Sequence, residues 1–155
     1  MKTQDSRAVS DLESHTGFWL RFVSNHVSQS FARKLAGSGA TVAEWVILRE
    51  IFKAGETSPS RLAASSGLTR GAVSKLVDRL VRKDLASRTE ADTDRRYQDV
   101  KLTAAGRALV PKLAALADRN DEDFFSKIPA KERETLVATL KKLVAVNQLK
   151  KVPTT

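Results

Sequence analysis

The spacing of apolar residues changes abruptly at Asp84, and this change constrains the fold more than any other feature of the chain. Before Asp84, apolar side chains recur at steps of three and four in the residues that follow Thr69, a residue type that caps helices. They are Val73, Leu76, Val77, Leu80 and Val81. After it the pattern alternates at period two, and Val100 and Leu102 repeat this alternation beyond a polar loop. A capped helix followed directly by a β-hairpin is predicted.

A shorter helix is predicted just before Thr69. Ser58 can accept a hydrogen bond from the first helical turn, and Pro59 suits a position whose N–H has no partner inside the helix. This helix would bury Leu62 and end at Gly67. A short helix, a glycine-containing turn and a capped second helix form a helix-turn-helix, to which the hairpin adds a wing.

Longer helices are predicted on both sides of this module. One covers about residues 11–35, with the apolar stripe Leu20, Val23, Val27, Phe31 and Leu35. The next begins at Thr41, which has capping-box spacing with Glu44, and its buried side would be Trp45, Leu48 and Phe52. Thr103 would cap a third. A fourth would run from about Pro129 to Leu149, with inward residues Leu136, Leu140, Leu143 and Val146.

Composition limits the class of partner. At 155 residues the chain is predicted to be a single domain, and its formal net charge of +9 favours a polyanion, either nucleic acid or an anionic membrane surface. It has no cysteine and only two histidines, which excludes thiolate chemistry and argues against a histidine-rich metal site. No signal-type segment and no apolar run of roughly 20 residues occurs, so we predict a cytoplasmic protein with no membrane partner.

Residues 41–106 resemble the multiple-antibiotic-resistance-regulator (MarR) family of bacterial winged-helix transcription regulators. The most specific match is the wing signature D-x-R…V-x-L-T-x-x-G, formed here by Asp94, Arg96, Val100, Leu102, Thr103 and Gly106. Asp84 stands where the family usually has glycine, and Thr93 where it often has proline. Aspartate tolerates the left-handed backbone that such a helix end requires, so the fold prediction is unaffected.

The outward face of the helix after Thr69 is the predicted site of DNA contact. Arg70, Ser74 and Lys75 lie near its N-terminus, where a helix in the major groove meets base edges. Arg79 and Arg82 lie further along and would contact phosphates. The alternative is an ordinary solvated helix face.

The wing supplies the second predicted contact. Asp94 precedes Arg96 by two residues, a spacing at which a carboxylate can hold a guanidinium in one rotamer. The family resemblance implies that Arg96 enters the minor groove. Phosphate contacts are expected from Arg88, Arg95 and Lys101.

Other kinds of site are disfavoured. Asp92, Asp94 and Asp99 could indicate a metal loop, but the central glycine and terminal glutamate of a calcium loop are missing. Nothing resembles a nucleophile elbow, a phosphate loop or a catalytic carboxylate pair. No metal, cofactor or enzymatic activity is therefore predicted.

The resemblance also implies a homodimer. The predicted DNA-binding region is residues 41–103, and residues 8–37 and 104–150 would form a helical dimerisation region. Two-fold symmetry would match a pseudo-palindromic operator. The alternative is a monomer with an ordinary helical core.

Aromatic and imidazole side chains form one face of the first helix. The predicted effector-binding residues are His15, Trp19, Phe22 and His26, with Trp45 nearby. In the resembling family, small phenolic or aromatic carboxylate effectors bind between the dimer-forming region and the winged module, and the resemblance implies the same here. Core packing and two surface histidines explain the same residues.

The function predicted is a sequence-specific regulator of transcription that binds double-stranded DNA, a repressor released by a small aromatic or phenolic ligand. The alternative is a winged-helix module for protein–protein contact that lacks sequence-specific DNA binding.

Overall fold

The computed structural model describes residues 9–89 and 99–150. These residues form six helices and one small sheet, after a short 3-10 turn at Leu12–Ser14. The helices are α1 (Thr16–Leu35), α2 (Val42–Ala54), α3 (Pro59–Ser66), α4 (Arg70–Arg82), α5 (Ala104–Phe125) and α6 (Ala130–Val146). The strands are β1 (Glu56–Thr57), β2 (Ala86–Thr89) and β3 (Asp99–Leu102). No helix in these two ranges has both the length and the apolar character needed to cross a membrane.

Side-chain caps set the starts of four helices, as predicted. The Thr41 hydroxyl accepts the Glu44 N–H at 3.2 Å, and the Glu44 carboxylate accepts the Thr41 N–H at 3.1 Å, which completes a capping box. Hydroxyls also accept first-turn N–H groups at Ser58, Thr69 and Thr103. The predicted start of the first helix near residue 11 is wrong, because extended His15 separates the 3-10 turn from α1.

The sheet has one strand more than the predicted hairpin. β1 pairs with β3 in antiparallel register, with Thr57 opposite Val100, and the strand order is β1-β3-β2. Two residues are too few to show an alternating pattern, so β1 could not be recognised in the sequence. The predicted fold class, mainly helical with a small wing, is confirmed.

Residues 41–103 form most of one buried core, to which α1 adds Leu35 and α5 adds Val110 and Leu113. From α2 and α4 the core takes Ile47, Leu48, Ile51, Val73, Leu76, Val77 and Leu80. Phe52, predicted as buried, is 42% exposed, because Ile51 takes the inward position and the next helical residue is rotated by about 100°. Val81 is turned outward for the same reason.

The join between α4 and the sheet requires two special residues. Asp84 has φ 58°, the left-handed conformation expected where glycine is usual in the family. The backbone of Leu85 then passes so close to α5 that a Cβ at Gly106 would overlap the Leu85 carbonyl oxygen. Thr103 completes this join by donating its hydroxyl hydrogen to the Asp84 carbonyl at 2.6 Å.

The remaining helices leave much apolar surface uncovered. α1 packs on α5, where buried Asn120 donates to the Val27 carbonyl at 3.1 Å and Lys34 pairs with Asp123 at 2.9 Å. In contrast, α6 buries no residue, and its predicted inward residues Leu136, Leu140, Leu143 and Val146 are exposed. Leu20 and Val23 of α1 are exposed as well. The predicted burial of the α6 residues is wrong for a single chain, because no element in the described residues covers that face.

Candidate nucleic-acid interface

The α4 helix has a buried face and a cationic face. Its buried face packs into the module core. The helix begins after a turn at left-handed Gly67 and is capped by Thr69, whose hydroxyl accepts the Ala72 N–H at 3.1 Å. The opposite face exposes the predicted contact residues Arg70, Ser74, Lys75, Arg79 and Arg82. The first turn of α4 contains no acidic residue, so the positive N-terminal end of the helix dipole adds to the positive charge of these side chains.

Most of this face is unpaired within the described chain. Arg70, Ser74, Lys75 and Arg82 make no side-chain hydrogen bond or ion pair with another residue of 9–89 or 99–150. Their donors are therefore available to a partner. Arg and Lys can donate to guanine O6 and N7 or to phosphate oxygens, and serine can donate or accept.

Arg79 has a partial ion-pair partner inside the module. Its guanidinium lies 3.9 Å from a carboxylate oxygen of Glu44, which is only 1% exposed. Lys83, at the end of α4, pairs with the other Glu44 oxygen at 2.7 Å and donates to the Gly39 carbonyl at 3.1 Å. This group of side chains ties the C-terminal end of α4 to the start of α2.

Arg88 connects the wing to α4. It extends from β2 and pairs with Asp78 on α4 at 2.5 Å, with a quarter of its side chain exposed. Its Nε is buried and has no hydrogen-bond partner among the residues that the structure describes. The structure therefore gives Arg88 a role in joining helix and wing. Lys101, also predicted to contact phosphate, is exposed on β3 opposite Ser87.

The predicted wing-tip contacts Asp94, Arg95 and Arg96 lie outside the described residues, as do Asp92 and Thr93. Among the described residues, no group of three or more histidine or carboxylate side chains is placed to hold a metal ion.

Three of the five predicted effector residues contact one another on α1, and the other two lie apart from them. Trp19, Phe22 and His26 form a continuous line of ring contacts along α1, with centroid separations of 6.3 Å and 4.8 Å. Phe22 and His26 also line an apolar cavity of about 430 Å³ with Phe124, Phe125 and Ile128. His15 is exposed at the N-cap of α1, whereas Trp45 packs edge-on against Phe31, further along α1.

Two connections in this interface, both made by charged side chains, were not predicted from the sequence. Glu44 was recognised only as a cap, although it lies in step with Ile47, Leu48 and Ile51 on the buried face of α2, which was the available signal. Its pairing with Lys83 joins residues far apart in sequence and had no local signal. The Asp78–Arg88 pair likewise depends on the angle between α4 and β2.

Comparison with known proteins relates this geometry to a family. A model of the MarR family matches residues 38–96. A putative transcriptional regulatory protein for the hcr operon of Thauera aromatica is 30% identical over 128 residues, which cover 82% of this chain and 77% of that protein.

Solved structures extend the similarity over the flanking helices. A cysteine-to-serine mutant of MarR from E. coli, complexed with operator DNA, is 26% identical and superposes with a TM-score of 0.75, covering 83% of this chain and 92% of that one. CouR from Rhodococcus jostii, bound to p-coumaroyl-CoA, is 26% identical with a TM-score of 0.74, covering 87% and 95%.

Proposed function

Because the chain belongs to the MarR family of DNA-binding transcriptional regulators, we propose that it recognises a specific double-stranded sequence as a homodimer and represses the adjacent genes. A small aromatic or phenolic ligand would release it from the operator. Its site of action would be the cytoplasm. MarR-family regulators are not enzymes, which agrees with the catalytic motifs missing from the sequence.

The exposed cationic face of α4 is the observation that carries this proposal. Arg70, Ser74 and Lys75 would contact base edges in the major groove, and Arg79 and Arg82 would contact phosphates. Support comes from the unpaired donors on this face and from the operator complex of MarR from E. coli, which has the same fold. Lys101 would contact phosphate from β3.

The wing would add a minor-groove contact. In this proposal Arg96 enters the groove, Asp94 holds its guanidinium, and Arg95 contacts phosphate. The Asp78–Arg88 pair supports the proposal because it fixes the base of the wing on α4, so that both contacts approach one duplex together. The paired Arg88 would then help to position the wing and would contact phosphate only through its remaining donors.

A second copy of the chain would cover the exposed apolar faces of α1 and α6. Large apolar patches on a protein surface usually mark an interface. Here they lie within residues 8–37 and 104–150, the proposed dimerisation region. A two-fold dimer would place two α4 helices in successive major grooves, about one DNA turn apart.

The effector would bind along the aromatic line of α1. The cavity beside Phe22 and His26 has the size and apolar lining of small-molecule sites, which span about 300–1,000 Å³. CouR, with p-coumaroyl-CoA bound, is a relative that holds an aromatic ligand. His15 and Trp19 would lie at the outer end of this site, and Trp45 would approach it from α2.

Titration of labelled operator DNA tests the proposed DNA contact. Operator sites are first recovered from genomic fragments retained by the protein. Lys75→Ala should lower operator affinity and relax the preference for operator over scrambled DNA, whereas Lys142→Ala, an exposed lysine of α6, should change neither. Binding without sequence preference in the wild type would instead favour the protein–protein module.

Ligand release is tested on the same DNA. Salicylate should raise the melting temperature of the protein and weaken operator binding, and Trp19→Ala should abolish both effects. If a panel of aromatic acids leaves operator binding unchanged, the aromatic line of α1 is packing only.

A further inference from the structure

Polar side chains interrupt the apolar contact between α1 and α5. The α5 side of this contact is a row of residues at steps of three, four and four, formed by Leu113, Leu116, Asn120 and Phe124. Asn120 is only 4% exposed, so a buried amide takes a place that an apolar side chain could fill. Burying an amide costs free energy unless its polar atoms are hydrogen-bonded. The partners of Asn120 therefore decide what it contributes.

These polar groups satisfy one another. The Lys34 ammonium donates to the Ser30 hydroxyl at 3.1 Å and to the side-chain carbonyl of Asn120 at 3.2 Å, and it pairs with Asp123 at 2.9 Å. The three acceptors match the three N–H groups of the lysine. The Asn120 amide nitrogen donates in turn to the Val27 carbonyl at 3.1 Å. We call Ser30, Lys34, Asn120 and Asp123 the α1–α5 polar cluster.

The polar cluster distinguishes one alignment of α1 on α5 from the others. Apolar contacts alone discriminate weakly, because a helix that slides along its neighbour still meets apolar side chains. If α1 slid or rotated, Asn120 would stay buried but lose Lys34 and the Val27 carbonyl. A buried asparagine fixes the register of coiled coils by the same penalty.

The cluster lies between the winged module (residues 41–103) and the outer half of α1. On one side of it, Leu35 and Leu113 belong to the buried core. On the other side, Phe22 and Phe124 line the aromatic cavity. Because α5 continues directly from β3 of the module, the alignment of α1 on α5 sets the direction in which the module projects from the outer helices.

We propose that Lys34 and Asn120 are positioning residues, which hold the module at one orientation to α1 and thereby select operators with one spacing of half-sites. The selection rests on the proposed function, since spacing matters only when two chains bind one duplex. The orientation within one chain does not. Replacing buried polar partners by apolar side chains is often neutral or stabilising. The variant Lys34→Met/Asn120→Leu should therefore keep its stability and lose its fixed orientation.

Distances between two spin labels test the orientation in the free protein. The chain has no cysteine, so labels at Asn25→Cys on α1 and Ser60→Cys on α3, both exposed positions, are the only ones attached. Excess unlabelled protein restricts the signal to distances within one chain. The otherwise wild-type protein should give one narrow distance distribution. Lys34→Met/Asn120→Leu should give a broader or displaced distribution at an equal or higher melting temperature.

A variant of the module core separates orientation from stability. Val100→Ala removes buried side-chain volume in β3, so it should lower the melting temperature and keep the narrow distribution. The positioning role is contradicted if Lys34→Met/Asn120→Leu has the wild-type distribution. It is also contradicted if Val100→Ala broadens the distribution as much, because loss of stability would then explain the effect.

Operators of two spacings test the selection. One added base pair between the half-sites turns them by about 35° relative to each other. Wild-type protein and Val100→Ala should lose affinity about tenfold for the longer operator, the order of one mismatched base pair. Lys34→Met/Asn120→Leu should bind both operators nearly equally, and an equal tenfold loss in this variant would contradict the selection. A wild-type protein that binds no operator would overturn the proposed function, while the label distances would still decide the orientation.

Discussion

The winged module and the outer helices differ in how much of their apolar surface one chain can cover. In the module, α2, α3, α4 and the sheet enclose a core in which Ile47, Val77 and Leu80 have no exposed surface. In the outer region, α6 has the same kind of apolar stripe but buries nothing. Similar apolar stripes are thus buried in the module and exposed on α6 in a single chain. An apolar stripe therefore predicts that a helix face is buried, and only the fold decides whether the covering surface belongs to the same chain.

The largest expected effect is on the module core. Leu80→Ala removes a fully buried side chain from the inner face of α4, so the free energy of unfolding should fall by about 2–5 kcal/mol. Chemical denaturation at several protein concentrations measures it. The loss should be the same at every concentration, because this core lies within one chain. A loss that grows with dilution would mean that the module also depends on a partner.

The outer region should behave in the opposite way. Leu140 is 39% exposed in one chain, and Leu140→Asp would place a charge in the proposed interface. The dimer dissociation constant should rise at least 100-fold, or about 2.7 kcal/mol, as measured by analytical ultracentrifugation. Lys142→Asp on the same helix is the charge-changing control. If Leu140→Asp leaves the association state unchanged, α6 is not the interface.

The wing contact comes next in size. Arg96→Ala should cost about 1–3 kcal/mol of binding free energy at the operator, the usual value for a contact with a base, with little change on nonspecific DNA. Fluorescence anisotropy with both DNAs measures the difference. An unchanged operator affinity would restrict sequence recognition to α4.

The smallest expected effect is at the far end of α4. Arg82→Ala should reduce the slope of log affinity against log salt by about one while leaving sequence preference unchanged, because a phosphate contact carries no base information. Titrations at several salt concentrations, with operator and scrambled DNA, measure both quantities. A change in preference would assign Arg82 to base recognition.

Local signals in the sequence predicted the module well. Caps at Thr41, Ser58, Thr69 and Thr103 act within one helical turn, so residue type and spacing were enough to place those starts. The left-handed conformation of Asp84 was implied by the family resemblance, because the family usually has glycine at that position. The short strand β1 could not, since its two residues form a strand only by pairing with β3.

The candidate sites were predictable in part. The cationic face of α4 followed from helical periodicity alone. Connections between elements did not: Glu44 reaches Lys83 and Arg79, and Asp78 reaches Arg88, only after α2, α4 and β2 have packed.

In the proposed function, the module recognises DNA sequence and the outer helices pair two modules. Sequencing the genomic DNA fragments retained by the purified protein tests both parts in one measurement. We expect an enriched motif with two inverted half-sites whose centres lie about 10 base pairs apart. Retained fragments with no shared motif, or with a single unrepeated half-site, would contradict it.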